Sequence, residues 1–338
     1  MNTKAENATT TAEIMRAVVW DRHGAPEDVL KVREIPRPQL GADEVLVRVR
    51  AASVNPYDWH YYRGDPWMIR VMPGVARAKE SQRLGSDLAG EVVAIGSGVT
   101  GLRVGDRVYG GVGLGSFAEY VAAPSNRLAP MPTTMTFEEA AAVPMGAITA
   151  MASLRAGRFE AGQSVIVNGA SGGIGTFAVQ LAKALGASEV TGVCSTRNVA
   201  MVQMLGADSV VDYTREDYSR LDKHYDLFIE TQYSQPFLRS RHALKRRGTF
   251  AFAGGGGGKL LGPGGPMLGA KLLSAFVSQR VAPVTAKGYR ALLVEITALI
   301  EAGKVRSVID ATYPLDRIVD AMKHLETGHV SGKVVVTI

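Results

Sequence analysis

The stretch VNGASGGIGTFAVQLAKALGA, from Val167 to Ala187, places Ala170, Gly172 and Gly175 at the spacing of G-x-G-x-x-G with alanine first. Small residues at these positions let the backbone turn sharply, approach a pyrophosphate and pack the next helix against the preceding strand. Val165, Ile166 and Val167 read as a buried strand. Ile174, Ala178, Leu181 and Leu185 then share one face of a helix that Gly186 ends. The first amides of that helix are free to meet an anion, so strand, turn and helix together predict dinucleotide binding.

NAD-specific proteins place an Asp or Glu at the end of the second strand, roughly 20 residues beyond the glycines, to accept the ribose hydroxyls. Here that place holds Ser195 and Thr196, followed by Arg197. Two hydroxyls and a guanidinium suit a 2′-phosphate through charge-assisted hydrogen bonds, which favours NADPH. The alternative for Arg197 is a solvent-facing residue in the first turn of a helix.

These residues need elements to hold them. Up to about residue 130, short apolar runs (RAVVW, EVLVRVRAAS, GEVVAIGSGV, GDRVYG, FAEYVAAP) are separated by Gly and Pro turns, a pattern of a barrel-like β domain. From about 137 the rhythm changes. A helical stretch, 137–157, precedes the strands SVIVN, EVTGVC, DSVVDY, DLFIE and GTFAFAG, with helical segments between the first two pairs and the last pair. Such alternation predicts a doubly wound parallel sheet, an α/β fold class overall. The chain closes with a helix over 290–301, a strand over 308–313, a helix over 315–326 and the strand GKVVVTI.

With 338 residues, 46% of them hydrophobic, the chain has room for two cores. One cysteine, Cys194, builds neither a disulfide framework nor a four-thiolate zinc lobe, and it fits the reducing cytoplasm. The polar start, residues 1–13, lacks the apolar core of a signal peptide and the arginine-rich look of a transit peptide, and reads as a floppy tail. No apolar run reaches the roughly 18 residues that span a bilayer. A net charge of +6 is dispersed among acids, and its one dense cluster, Lys245, Arg246 and Arg247, reads as the close of a helix. No nucleic-acid-reading motif accompanies it.

Taken in order, VNPYDWHYYRG (54–64), GSDLAGEVVAIGSGV (85–99), VGDRVYG (104–110), SFAEYV (116–121), AAVPMGAITA (141–150), the glycine turn, LGADSVVDY (205–213) and GHVSGKVVVTI (328–338) resemble the medium-chain dehydrogenase/reductase superfamily. The resemblance is to its zinc-free quinone oxidoreductase branch, which includes zeta-crystallin and the chloroplast-envelope quinone oxidoreductases. It covers about Met15 to Ile338. It implies a GroES-like β-barrel catalytic domain over 14–130 that regains 286–338, a Rossmann NADPH-binding domain over 131–285, and an active site in the cleft between them. Similar proteins are homodimers. The resemblance also gives Ser171, Gly173 and Ile174 as pyrophosphate contacts, Ser195 and Tyr213 as contacts of the adenosine phosphate, His329 and Val330 as contacts from the returning segment, and Thr149 as a neighbour of the nicotinamide. Thr149 packing within its helix and His329 as an exposed turn residue are the structural alternatives.

Zinc members of the superfamily bind their metal through Cys, His and carboxylate. The corresponding places here read Asn55-Pro56-Tyr57-Asp58 and Gly85-Ser86-Asp87, so no metal is expected. Hydride delivery to an already electrophilic acceptor stays feasible, which points to reduction of a quinone or a small, lipophilic α,β-unsaturated carbonyl. Asn55, whose amide both donates and accepts, is the candidate for positioning substrate and nicotinamide. His60, where related quinone reductases carry a tyrosine, is the candidate proton donor. Asn55 also reads as a turn former, and His60 as packing among Tyr57, Trp59, Tyr61 and Tyr62. IETQYSQ (229–235) departs from the Asp-Val-Gly-Gly of relatives, with Thr231 near the nicotinamide. The Gly-, Leu- and Met-rich stretch 254–280 reads as a lid over a lipophilic acceptor, a dimer contact, a membrane-touching surface or a core helix over 266–279. Two other functions stay open: an enoyl or other biosynthetic-intermediate reductase of the same fold, and a non-catalytic, crystallin-like cofactor-binding protein.

Overall fold

The computed structural model describes residues 13–71, 82–254, 262 and 264–338. The tail expected over 1–13 lies outside the described residues except for Glu13, whose carbonyl accepts the Arg37 N–H at 2.8 Å. Of the 254–280 stretch, 255–261 and 263 lie outside them too.

The second half of the chain builds a parallel sheet in the order Ser209–Asp212, Glu189–Cys194, Ser164–Asn168, Tyr225–Glu230, Leu244–Phe252, Arg280–Pro283. Chain direction reverses its march across the sheet at Ser164–Asn168, the first strand in sequence. In open α/β sheets, ligands settle beyond the strand ends at such a switch point. All five residues of that strand are buried, as its continuous apolar run requires.

An antiparallel sheet carries the other half: Ile309–Pro314, Lys333–Thr337, Glu44–Val54, Asp87–Ile95, Arg107–Gly111 and Leu128–Pro130 in spatial order, with Tyr120–Pro124 also on Glu44–Val54. A smaller sheet joins Lys31–Pro36, Ile14–Trp20 and Gln82–Arg83. Lys333–Thr337 thus enters between Ile309–Pro314 and Glu44–Val54, so the last residues of the chain pair with some of the first. One apolar cluster spans both halves, from Ala51, Ala89 and Tyr109 through Ala147 and Met151 to Val167 and Phe177. The two sheets therefore share a core across the helix Pro144–Gly157.

Local differences from the sequence expectations have local causes. The stretch 137–157 is two helices, Phe137–Ala141 and Pro144–Gly157, because Pro144 has no N–H to continue the ladder. Lys245, Arg246 and Arg247 do not close a helix; they sit exposed within the strand Leu244–Phe252, where Lys245 pairs with Asp226 at 2.8 Å. Between Tyr225–Glu230 and that strand there is only the one-turn helix Phe237–Ser240 and a 3-10 turn. The apolar stretch after Gly262 forms the helix Gly264–Leu273 with a 3-10 turn behind it. That helix buries Ala270 and leaves Leu268 and Leu272 exposed. Residue 262 reaches the other half of the molecule: a Cβ on Gly262 would stand 2.7 Å from Pro66 Cγ.

Candidate active site

The glycine turn leads from Asn168 into the helix Gly175–Ala184, whose C-terminal exit Gly186 takes with φ +89°. Each small residue in the turn answers to a neighbour. A Cβ on Gly175 would lie 2.0 Å from the Gly169 carbonyl and 2.7 Å from Ala170 Cα, and one on Gly173 would lie 2.9 Å from Lys333 Cδ. A Cβ on Gly172 would meet nothing of the protein closer than 3.4 Å. Gly172 is the glycine whose bare face opens into a cavity. Gly146, in the helix below, serves the same turn, since a Cβ there would be 2.3 Å from the Gly173 carbonyl.

That cavity, about 830 Å³, lies over the ends of Ser164–Asn168 and Glu189–Cys194. It brings together Ser171, Gly172, Ser195, Arg197, Tyr213, His329 and Val330. Ala170, Gly173, Ile174 and Gly175 do not line it; they belong to the turn and its helix. Thr196 is turned away, its hydroxyl donating to Asp212. Arg197 Nη2 donates to the His329 carbonyl, which ties the second strand's end to the returning segment and leaves the guanidinium further N–H groups. Asp212 sits below the usual carboxylate range because the Thr196 and Thr214 hydroxyls hydrogen-bond to it. An anion-cradling turn, an open floor at Gly172 and hydroxyls beside a guanidinium fit a phosphorylated dinucleotide.

Sequence reasoning missed how the turn after Tyr225–Glu230 is held. Glu230, fully buried, accepts the Gln232 and Tyr233 N–H groups at 2.8 and 2.7 Å and the Asn168 amide at 2.9 Å. Burial raises its carboxyl above the ordinary value, against those hydrogen bonds. They hold Tyr233 at φ +51°, a conformation that favours glycine. Thr231, buried here, donates its hydroxyl to the Asn168 carbonyl at 2.7 Å and is not among the cavity residues. Thr149, half-buried in the helix Pro144–Gly157, is outside the cavity as well.

On the antiparallel side, Asn55 begins the helix Pro56–Arg63 and is 2% exposed. Its Nδ2 donates toward the Ser53 carbonyl at 3.2 Å, Ser86 Oγ at 3.2 Å and Asp87 Oδ2 at 3.1 Å. Its Oδ1 accepts from Lys333 Nζ, and its backbone N–H donates to Asp58 Oδ2 at 2.8 Å. Lys333 Nζ stands 3.8 Å from Asp87 Oδ2, which also takes the Met145 N–H at 3.2 Å. Burial drives all three titratable groups toward neutrality: Asp58 is pushed up to about 8, Asp87 is raised against the nearby Lys333 charge, and Lys333 is lowered against Asp87. Lys333 was not singled out from sequence. Its signal, a lysine opening a strand of otherwise apolar residues, is also that of an ordinary strand end.

His60 lies on the same helix, half-buried. Its Nδ1 donates to the Asp65 carbonyl, and burial lowers its imidazole below the ordinary value. With Nδ1 held by that carbonyl, the ring offers the cleft only its Nε2. The aligned Tyr57 and Tyr61 hydroxyls share a hydrogen bond of 2.6 Å on this helix.

Zinc does not fit this donor set: an amide, a hydroxyl and a carboxylate already facing an ammonium offer no thiolate or imidazole. Among the described residues, no group of three or more His, Cys, Asp or Glu side chains is placed to hold a metal. None of the described helices is long and apolar enough to cross a membrane.

Residues 41–133 match the family model described as alcohol dehydrogenase GroES-like domain, and 205–336 that described as zinc-binding dehydrogenase. The chain is 32% identical to the 2-methylene-furan-3-one reductase of Solanum lycopersicum, over 95% of this chain and 79% of that one. It is 34% identical to the chloroplastic NADPH-dependent alkenal/one oxidoreductase of Arabidopsis thaliana, over 98% and 82%. Among solved structures, the quinone oxidoreductase of Coxiella burnetii superposes with a TM-score of 0.82 at 28% identity, covering 96% of this chain and all of that one. The Escherichia coli quinone oxidoreductase complexed with NADPH gives 0.81 at 25%, with coverage of 96% and 100%.

Proposed function

We propose that this chain, which belongs to the medium-chain dehydrogenase/reductase family, is an NADPH-dependent oxidoreductase that reduces quinones or α,β-unsaturated carbonyls without a metal. The observation that carries this is a pairing. A dinucleotide cavity opens at Gly172, and beside it the zinc-ligand places of the family hold Asn55 and Ser86, locked to Lys333 and Asp87. The named relatives act on the same acceptor classes.

Bound NADPH supplies a hydride. Ser171 and Gly172 offer the pyrophosphate a turn without side-chain bulk, with Gly173, Ile174 and Gly175 fixing its path. Ser195, Arg197 and Tyr213 face the 2′-phosphate, while His329 and Val330 close the cavity from the returning segment. Thr149 and Thr231 would lie toward the nicotinamide end. Asn55 is a rigid edge of the cleft, its nitrogen fully engaged and its oxygen retaining one lone pair. That hydride would add to the β carbon of an enone or to a quinone, the electron pair of the acceptor moving onto its carbonyl oxygen. The balancing proton comes from His60, whose Nδ1 is held by the Asp65 carbonyl, or from water. The acceptor must be electrophilic by itself, because nothing in this donor set replaces a Lewis acid.

The buried thiol of Cys194 supports a reducing compartment, read as the cytoplasm, although the plant oxidoreductase is named as chloroplastic. A homodimer is part of the same proposal. The functional test is consumption of NADPH with 1,4-quinones and alkyl enones: turnover with at least one class is expected, and no consumption with either overturns it.

A further inference from the structure

Residues 328–333 run from the cavity into the cleft without interruption. The His329 carbonyl accepts from Arg197, the Ser331 hydroxyl donates to Asn198 Oδ1 at 2.8 Å, and the Gly332 N–H donates to the Ser171 carbonyl at 2.8 Å. Three attachments within four residues thus fasten this strap to the cofactor side. Gly332 takes φ +87°, and a Cβ there would lie 2.3 Å from the Val308 carbonyl, so the close passage needs glycine.

The next residue changes sides. Val334 pairs with Val54 and Val335 with Ser53, a register that sets Lys333 opposite Asn55. The Lys333 stem lies over Gly173 and its ammonium reaches Asn55 and Asp87. A lysine 5% exposed beside a carboxylate 1% exposed is costly to build. Apolar residues of similar volume usually serve stability as well or better, so stability alone does not account for the pair. The ammonium does something an apolar side chain does not: by donating to Oδ1 it joins the Ser53, Ser86 and Asp87 acceptors of Nδ2 in fixing which way the Asn55 amide points.

We propose that Lys333 is a positioning residue of the reductase reaction, tying the Asn55 carboxamide of the cleft to the glycine turn that carries the cofactor, so that hydride donor and acceptor are held in one register. This rests on the function proposed above. Its stem sets the spacing to the turn, and its head sets the amide.

The test separates the two parts. Lys333→Met keeps a stem and removes the ammonium, Lys333→Ala removes both, and Lys333→Arg restores a cation. Each is also made with Asp87→Asn, so that no carboxylate is left buried without its cation. NADPH affinity is read by quenching of intrinsic fluorescence, and kcat with whichever acceptor the wild type reduces. Relative to Asp87→Asn alone, the Met double variant is expected to hold NADPH affinity within about threefold while kcat falls about tenfold or more, with partial rescue by Arg. The Ala double variant is expected to lose about tenfold in NADPH affinity as well. A Met double variant with kcat within about twofold of its parent overturns the positioning role, as does a loss confined to folded fraction. A wild type that binds NADPH but reduces nothing sinks the functional reading instead. The fluorescence arm still decides the strap there, because equal affinity in the Met and Ala variants contradicts it.

Discussion

The two walls of the site are built in opposite ways. The cofactor wall is drawn mainly from short local segments: Asn168 to Gly175 and Cys194 to Arg197 supply backbone turns and small residues, and Tyr213, His329 and Val330 join them. The cleft wall is assembled from Asn55, Asp58, Ser86, Asp87 and Lys333, with Asn55 and Lys333 278 positions apart, and it works through buried polar and titratable side chains. A turn shaped by the absence of side chains tolerates solvent and needs no pairing. A charged cluster in the core stands or falls as a unit.

That contrast can be broken by substitution. Lys333→Met alone leaves Asp87 buried without its cation, and unfolding should show a loss of about 3–5 kcal/mol, most of it recovered when Asp87→Asn is added. A loss below about 1 kcal/mol would mean that the cluster is not interdependent. On the cofactor wall, Gly172→Ala should leave the melting temperature nearly unchanged, since no protein atom lies closer than 3.4 Å to the new Cβ. The bulk should nevertheless weaken NADPH about tenfold or more in a fluorescence titration. An equal drop in stability would erase the distinction between the two walls.

Arg197→Ala sharpens the comparison at the far end of the cavity. Loss of one charge-assisted contact should raise KM for NADPH about tenfold and leave KM for NADH nearly unchanged. Parallel changes for both cofactors would remove Arg197 from the 2′-phosphate.

The last effect is a slope. Asp58 keeps its proton up to about pH 8 when folded but only to about 3.8 as a free side chain. Between those values the native state carries the extra proton. Its contribution to stability is complete below the lower value and is lost as pH rises through the upper one. Asp58→Asn, which can still accept the Asn55 N–H, should flatten the decline of stability from pH 4 toward 8, followed by denaturant midpoints. Identical pH profiles would show that Asp58 does not titrate in that window.

How much was legible follows the same division. The strand before the glycines, the helix after them and Gly186 behind it were readable because each is written in adjacent residues with a fixed period. The Ser195 to Arg197 cluster was readable by its distance along the chain. What side chains do there was not: Thr196 faces Asp212 rather than the cavity, and Arg197 already holds the His329 carbonyl. The Asn55 cluster was half legible. The missing cysteine and histidine ligands were evident, yet the ammonium that stands among their replacements depends on a strand register no local pattern encodes. The three basic residues 245–247 misled because a charge run closes a helix and skirts an exposed strand end alike.

The most direct test of metal-free hydride delivery uses NADPH carrying deuterium on the transferred face, with protein first dialysed against a strong chelator. An alkyl enone is supplied as acceptor in ordinary water. The expected result is undiminished turnover with deuterium at the β carbon and a solvent proton at the α carbon. Turnover abolished by the chelator and restored by zinc, or deuterium absent from the β carbon, would contradict it.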